Sequence, residues 1–411
     1  MNTIDKKIKT DICIIGAGPA GATTSLFLSK MQIPHVIVDA AVFPRDKVCG
    51  DALDLKVMRI LNNLETGLVE REILHNENFV QSKSVRIHIS EKKKAVLECI
   101  PQHNEWDYPF FCFSKRKYFD NFLVEKINPT YANFLQGTKV DKIIFDGKER
   151  KIFATRNNET IEIQTKLVVG ADGDHSVVLR SLGERQISRD NYAGGLRQYW
   201  KGISDMQDNH LELYLPKSLP LAYLWIFPLP NGEANVGCGL QSTLIKNNNI
   251  NLKDILYDII TKDPVLKDRF KNATPLETPQ GWGLPLASLK RKISGNGWLL
   301  TGDAGSLIYP TTGEGIGPAM MSGYIAAHFI QRAVEINNFS AATFKNYDRE
   351  IYKRLEGSIK IYKIVHRISP MLYNFFINII SPHPFCKYFF KKNVVKWIKT
   401  AYSKKIIVNI D

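Results

Sequence analysis

From Asp11 to Ile15 the chain is almost wholly apolar, too short to be a helix and without the alternation of a half-exposed strand. Such a run reads as a strand buried on both faces of a parallel sheet. A glycine cluster follows, then a helical stretch from about Ala20 to Lys30, and Val36 to Asp39 is a second buried strand. Strand, glycine turn, helix and strand in that order make a βαβ unit. From Lys139 to Val169, β-rich runs are separated by turn signals at Asp146-Gly147 and Asn157-Asn158, which predicts a hairpin returning to a strand at Lys166 to Val169. Beyond Arg185 the pattern becomes aromatic and β-prone at Leu196 to Trp200, Leu211 to Leu215, Tyr223 to Phe227 and Ala234 to Leu240, with a helical interlude near Leu252 to Asp268. The buried-strand pattern resumes at Gly297 to Asp303 and leads into a helix near Gly315 to Glu335.

These elements predict a mixed α/β chain with a discontinuous Rossmann-like domain over residues 1–184 and 293–360. A β-rich substrate domain is inserted at 185–292, with 75–112 contributing to it, and a helical, basic and aromatic tail covers 361–411. With 44% hydrophobic and 23% charged residues in 411, the composition excludes disordered, collagenous and disulfide-scaffold classes. The net charge of +14 favours anionic partners: phosphorylated cofactors, an acidic lipid surface or nucleic acid. Nucleic acid is disfavoured, because basic residues without a recognition motif are weak evidence. The six cysteines show no CxxC spacing, which points to a reducing, cytoplasmic setting and no metal site. The opening MNTIDKKIKT has no leader pattern, and the longest apolar run, Met371 to Ile380, is broken by Asn374 and Asn378. Any membrane contact is therefore expected to be peripheral.

Gly16-Ala17-Gly18-Pro19-Ala20-Gly21 is a GxGxxG directly after a strand and opening a helix. Gly16 permits the turn, Gly18 lets a pyrophosphate approach the backbone, and Gly21 lets helix and strand pack closely. The helix start at Ala20 offers unpaired N–H groups to phosphate charge. Asp39 ends the next strand about twenty residues on, where its carboxylate can take ribose hydroxyls, which selects FAD or NAD over NADP.

Two later elements decide between these cofactors. The strand Leu167-Val168-Val169 ends in Gly170-Ala171-Asp172-Gly173, and Leu299-Leu300 ends in Thr301-Gly302-Asp303. Then Pro310-Thr311-Thr312-Gly313-Glu314-Gly315-Ile316-Gly317 is a glycine-rich loop opening a helix. Each Asp alone could be a turn or cap residue. Together they suit one long ligand, with adenosine at Asp39, ribityl hydroxyls at Asp303 and a flavin ring at Gly315, where the helix dipole stabilises anionic reduced flavin. The cofactor expected is FAD.

GAGPAG, GADGDHS and TGDAGSLIYPTTGEGIGPA resemble, in order and spacing, the para-hydroxybenzoate hydroxylase type of FAD-dependent oxidoreductase. Phe43-Pro44-Arg45-Asp46-Lys47-Val48-Cys49-Gly50-Asp51 is similar to the PRxxxCG segment of the geranylgeranyl reductase family, and Tyr223-Leu224-Trp225-Ile226-Phe227-Pro228 with Asn235-Val236-Gly237 to its YxWxFP and NVG signature. The resemblance spans Asp11 to Arg332. It places Gly21, Asp39, Cys49, Gly50, Ala52, Arg116, Val140, Asp303, Gly315 and Ile316 at FAD contacts, and Gly16, Gly18, Ala20, Arg45 and Asp172 complete the candidate cofactor set. Arg116, opening a helix after Phe110 to Phe113, is expected to reach a phosphate bidentately. Asp51 departs from the Glu common in the family.

The function implied is hydride transfer from flavin N5 to an isoprenoid C=C bond of a prenyl lipid or related apolar substrate, with electrons from NAD(P)H or a ferredoxin-like donor. The alternative is a monooxygenase hydroxylating an aromatic or lipid substrate; halogenation is disfavoured because a WxWxIP segment is absent. Cys49 can be read as a nucleophile beside Arg45 and Lys47 or as a small residue packed on the flavin, and the latter is expected, leaving the flavin itself to carry the chemistry. Tyr223, Trp225 and Phe227 alternate at strand period and so share a face, either as core or as a substrate wall. His175 and His328 are expected to be structural. In the tail, cations from Lys360 to Lys404 interleave with aromatics such as Phe389 and Trp397, which suits a helical cover with a solvated face or contact with an anionic membrane equally.

Overall fold

The computed structural model of the chain describes residues 4–82, 84–90, 95–99, 109, 111–147, 149–184, 187–206, 209–216, 218–219, 221–368 and 408. Strand Lys6–Ile15 lies between two parallel neighbours, Glu159–Gly170 and His35–Val38. His35–Val38 in turn pairs in parallel with Ala132–Leu135, and Glu159–Gly170 with Trp298–Leu300. Ile15 stands opposite both Val38 and Gly170, and Gly170 opposite Leu300, so the carboxyl ends of these strands share one edge of the sheet. That edge is where ligands bind in open parallel sheets.

Burial on both faces explains the apolar runs: Ile12 to Ile15 and Val36 to Val38 are all buried. The hairpin region is longer than its sequence suggested. Glu159–Gly170 is one continuous strand preceded by Glu149–Arg156 and Lys139–Asp146, and the Asn157-Asn158 turn has φ of 48° and 66°, the left-handed pair of a tight hairpin. Helix Pro19–Lys30 buries every residue but Lys30, packing on the long helix Ile316–Glu335. Small side chains make this approach close: a Cβ at Gly323 would lie 2.3 Å from the Ala20 carbonyl.

A second sheet runs in the order Thr274–Pro275, Tyr192–Lys201, Glu233–Gln241, Tyr223–Leu229, Leu211–Tyr214, Val85–Ser90 and Ala95–Cys99, with Gln280–Pro285 also against Tyr192–Lys201. Its pairs are antiparallel except Val85–Ser90 with Leu211–Tyr214, which is parallel. Leu224, Ile226, Val236 and Cys238 pack on helices Leu252–Lys262 and Leu266–Phe270. The alternate residues, Tyr223, Trp225 and Phe227, face away from those helices. Beneath the helix side a charged cluster is sealed: Arg269 donates to both Glu212 oxygens at 2.7 and 2.9 Å, and His88 lies 3.1 Å from Glu212 Oε2. A small sheet of Ala52–Asp54, Phe111–Phe113 and Val80–Gln81 leads into helix Arg116–Glu125.

Among the described residues no helix is long and apolar enough to cross a membrane. Helix Lys345–Val365 covers the start of the tail, and the basic-aromatic pattern beyond residue 368 lies outside the described residues.

Candidate active site

The glycine loop joins the first strand to the first helix with φ of 97° at Gly16, where a Cβ would meet the Ala171 carbonyl oxygen at 2.4 Å. A Cβ on Gly21 would sit 1.8 Å from the Gly16 carbonyl, so Gly21 works beneath the loop, fixing helix on strand, and does not line the cavity. Above Gly18 the nearest atom to such a Cβ is Arg45 Nη2 at 3.7 Å, which leaves the backbone open to a ligand. Asp39 accepts hydrogen bonds from Ala17 N–H at 2.7 Å and Ala41 N–H at 2.8 Å, so it braces the loop as well as facing the cavity.

Arg116 differs from its expectation. Its fork is engaged by Asp120 one helical turn later, Nε to Oδ1 at 2.6 Å and Nη2 to Oδ2 at 2.7 Å, and Arg45 Nη1 reaches Asp120 Oδ2 at 2.8 Å. The bidentate geometry predicted for a phosphate is therefore spent on a fully buried carboxylate that holds two guanidiniums at the cavity wall. Cys49 and Arg116 line the same part of the cavity.

Asp172 and Asp303 lie at neighbouring strand ends, and both line the same cavity as Gly16, Gly18, Ala20, Asp39, Arg45, Cys49, Gly50, Ala52, Val140, Gly315 and Ile316. Asp172 Oδ2 accepts from Val177 and Val178 N–H at 2.6 and 3.2 Å, supporting the first turn of helix Val177–Ser181 beside its N-cap Ser176, while its Oδ1 is buried without a partner among the described residues. Burial pushes the Asp303 carboxyl up, opposed by Lys47 and Arg116. Burial likewise lowers the Lys47 ammonium, which lies 4.1 Å over the Trp282 ring. Helix Ile316–Glu335 opens at Gly315 without a side-chain cap, so its free N–H groups face the cavity.

The opposite wall is aromatic. Trp225 stands between Tyr223 and Phe227, with ring centroids 6.1 Å from each, and all three line the cavity. A Cβ at Gly237 would lie 2.3 Å from the Trp225 ring, so only glycine lets the indole lie flat on the neighbouring strand. Trp225 Nε1 donates to Asn235 Oδ1 at 2.8 Å, and Asn235 Nδ2 donates to the Cys49 carbonyl at 2.7 Å and Asp51 Oδ2 at 2.8 Å. Tyr199 OH donates to the same Asp51 oxygen at 2.8 Å. Burial pushes the Asp51 carboxyl up to about 6, against the pull of these donors and of Arg197 and Arg116.

Sequence reasoning did not single out Asp120, Tyr199, Asn235 as a connector, or Lys47 and Trp282. Only Asp120 had a local signal, as an i,i+4 partner of Arg116. The cavity has a volume of about 1850 Å³, well above the ~300–1,000 Å³ usual for a single small ligand, and so has room for a dinucleotide and a substrate together. The open backbone at Gly18, the orphaned Asp172 oxygen and the uncapped helix at Gly315 lie along one cavity. These residues fit FAD.

The fold and the site define an FAD-dependent oxidoreductase. A family model described as FAD binding domain matches residues 9–215, and one described as geranylgeranyl reductase catalytic domain matches residues 195–281. The chain belongs to the family of flavoproteins that share this FAD binding domain, and it carries the geranylgeranyl reductase catalytic-domain match within its second sheet. It is 29% identical to a digeranylgeranylglycerophospholipid reductase of Thermoplasma acidophilum, over 84% of each chain. It is 28% identical to a menaquinone reductase of Mycobacterium tuberculosis, over 78% of this chain and 76% of the other. Among solved structures, a geranylgeranyl bacteriochlorophyll reductase-like protein from Thermoplasma acidophilum superposes with a TM-score of 0.77 at 21% identity, covering 98% of this chain and all of the other. A flavin-dependent brominase superposes at 0.74, also at 21% identity, covering 97% of this chain and 95% of the other, and shares the fold.

Proposed function

We propose that the protein reduces isoprenoid C=C bonds of a prenyl lipid. The observation that carries this reading is the wall of Tyr223, Trp225 and Phe227 lining a cavity too large for the cofactor alone, with Gly50 packed directly against it: a Cβ at Gly50 would lie 3.4 Å from Phe227 and 3.8 Å from Trp225. Bound FAD, once reduced by a nicotinamide or ferredoxin-like donor, supplies the hydride. The chain supplies the rest. Gly16, Gly18 and the helix starting at Pro19 receive the pyrophosphate, Arg45 and Arg116 lend positive charge held in place by Asp120, and Asp39 and Asp303 take hydroxyls of the ligand. The aromatic wall excludes water and offers a flat apolar face to a prenyl chain beside the Cys49–Gly50 segment. The substrates named for the relatives, a digeranylgeranylglycerophospholipid and menaquinone, both carry such chains and support the reading.

The experiment is to mix photoreduced protein with a polyprenyl lipid under nitrogen. Flavin reoxidation with a product heavier by two hydrogens per double bond supports the proposal. A product that forms only with oxygen and gains an oxygen atom replaces it with monooxygenation. Peripheral contact with an anionic membrane is part of the proposal, since a prenyl substrate resides there, and the charge of +14 with the basic-aromatic tail supports it.

A further inference from the structure

Behind the glycine-rich loop at the start of the long helix, four ionisable side chains meet. Asp54 caps helix Leu55–Leu64 by accepting from Val57 N–H at 3.1 Å, and Lys56 Nζ lies 3.5 Å from its other oxygen. Lys56 also stands 4.4 Å over the Tyr309 ring. Glu314 completes the group: a Cβ built on Gly317 would lie 2.5 Å from Glu314 Oε1 and 2.9 Å from Asp54 Oδ1, so the glycine makes the space in which the two carboxyls meet. Glu314, Lys56 and Tyr309 line the cavity, and Asp54 stands behind them. Tyr223, the first aromatic of the substrate wall, donates its hydroxyl to the Thr312 carbonyl on this same loop.

One ammonium faces two carboxyls at the cavity wall, and Glu314 Oε1 is a buried atom with no donor among the described residues. Two carboxyls in contact cannot both be ionised at low cost, and the one with fewer donors keeps the proton. Asp54 has the Val57 N–H and Lys56; Glu314 has neither. Burial and the Asp54 charge push the Glu314 carboxyl well up, with Lys56 opposing.

We propose that Glu314 is the acid of the site, holding a proton against the Asp54 carboxylate and delivering it to the substrate carbon that does not receive the hydride. This rests on the reductase reading. The balance is complete: the alkene π bond is lost, the hydride forms one C–H bond, the Glu314 O–H breaks to form the other, and the carboxylate left is reprotonated by water. The two electrons come from the reduced flavin, itself reduced by the external donor. The proton then enters from the cavity side at the start of the long helix, on the loop that carries the Tyr223 contact.

The test uses FAD-loaded wild type, Glu314→Gln and Glu314→Asp. Infrared difference spectra in water and deuterium oxide should show a protonated-carboxyl band in wild type that Glu314→Gln lacks, and a band unchanged in that variant overturns the proposal. In anaerobic single turnover with a polyprenyl lipid, Glu314→Gln should slow flavin reoxidation about a hundredfold or more, with lipid binding, read from the flavin spectrum, within a few fold of wild type. Glu314→Asp should recover part of the rate. Wild-type rates in Glu314→Gln overturn the proposal while the reductase reading stands. Failure of wild type itself to be reoxidised by the lipid overturns both.

Discussion

Asn235 ties the aromatic wall to the cofactor loop: with one amide it accepts from the Trp225 indole and donates to both the Cys49 carbonyl and the Asp51 carboxylate. The residue is fully buried, so Asn235→Ala would leave the Trp225 indole N–H and the Cys49 carbonyl without their partner, while Asp51 keeps the Tyr199 hydroxyl. The expected cost is about 2–4 kcal/mol of unfolding free energy, since each buried group left unsatisfied costs ~1–3 kcal/mol. Urea unfolding of the FAD-loaded protein measures it.

Asp51 gives this network a pH dependence. Its carboxyl is pushed up to about 6 from an ordinary 3.8, so between these values the folded state binds more protons than the unfolded one. Stability from this group is whole below about 3.8 and is lost as pH rises through 6, a change of order 3 kcal/mol. Asp51→Asn keeps an acceptor for Tyr199 and tolerates the φ of 64° at this position. The difference between wild-type and variant stability curves should therefore slope across that window and be flat above it.

The charged cluster under the second sheet titrates in the opposite sense. Glu212, pulled down to about 2 from 4.5 by His88 and Arg269 against the desolvation of burial, contributes stability above 4.5 that is lost as pH falls toward 2. Glu212→Gln should flatten the acid limb of the stability curve, measured by urea unfolding from neutral pH downward.

Asp120→Asn should loosen FAD. The substitution removes the anion that holds Arg45 and Arg116, leaving two guanidiniums with no shared counter-charge; breaking a buried ion pair in this way costs ~3–5 kcal/mol. Retention of yellow colour through gel filtration, with urea unfolding beside it, reads both effects.

Trp225→Ala should raise KM for a bulky prenyl substrate more than it weakens FAD, because the indole packs with Tyr223 and Phe227 in the aromatic wall. Equilibrium dialysis of FAD against steady-state KM separates the two; the reverse order would make Trp225 a packing residue.

Much of the cofactor side was legible because its signals are local. Strand, glycine loop, helix and Asp39 lie within one βαβ unit, and Asp172, Asp303 and Gly315 each follow a recognisable apolar strand or open a helix. The rest depends on pairing between distant segments. Asn235 meets Asp51, and Tyr199 meets the same carboxylate, only because two sheets pack across the cavity. Val85–Ser90 joins Leu211–Tyr214 in parallel, a pairing no local pattern announces. Arg116 stands at a helix start as expected, and Asp120 on its own helix, which holds its fork, was not foreseen. Glu314 stands inside a motif that was read for its glycines, and its chemistry depends on Asp54, brought beside it by the fold.

The shared edge on which Gly16, Asp39, Asp172 and Asp303 stand also orders events in time. The glycine loop leaves the ribosome well before Asp303 and the helix at Ile316, which stand nearly three hundred residues later in the chain. At synthesis rates of ~5–20 residues per second the two halves of the cofactor clamp are separated by roughly 15–60 s. During that interval the nascent chain lacks Asp303 and the helix at Ile316, so the complete clamp exists only once those late segments have been made.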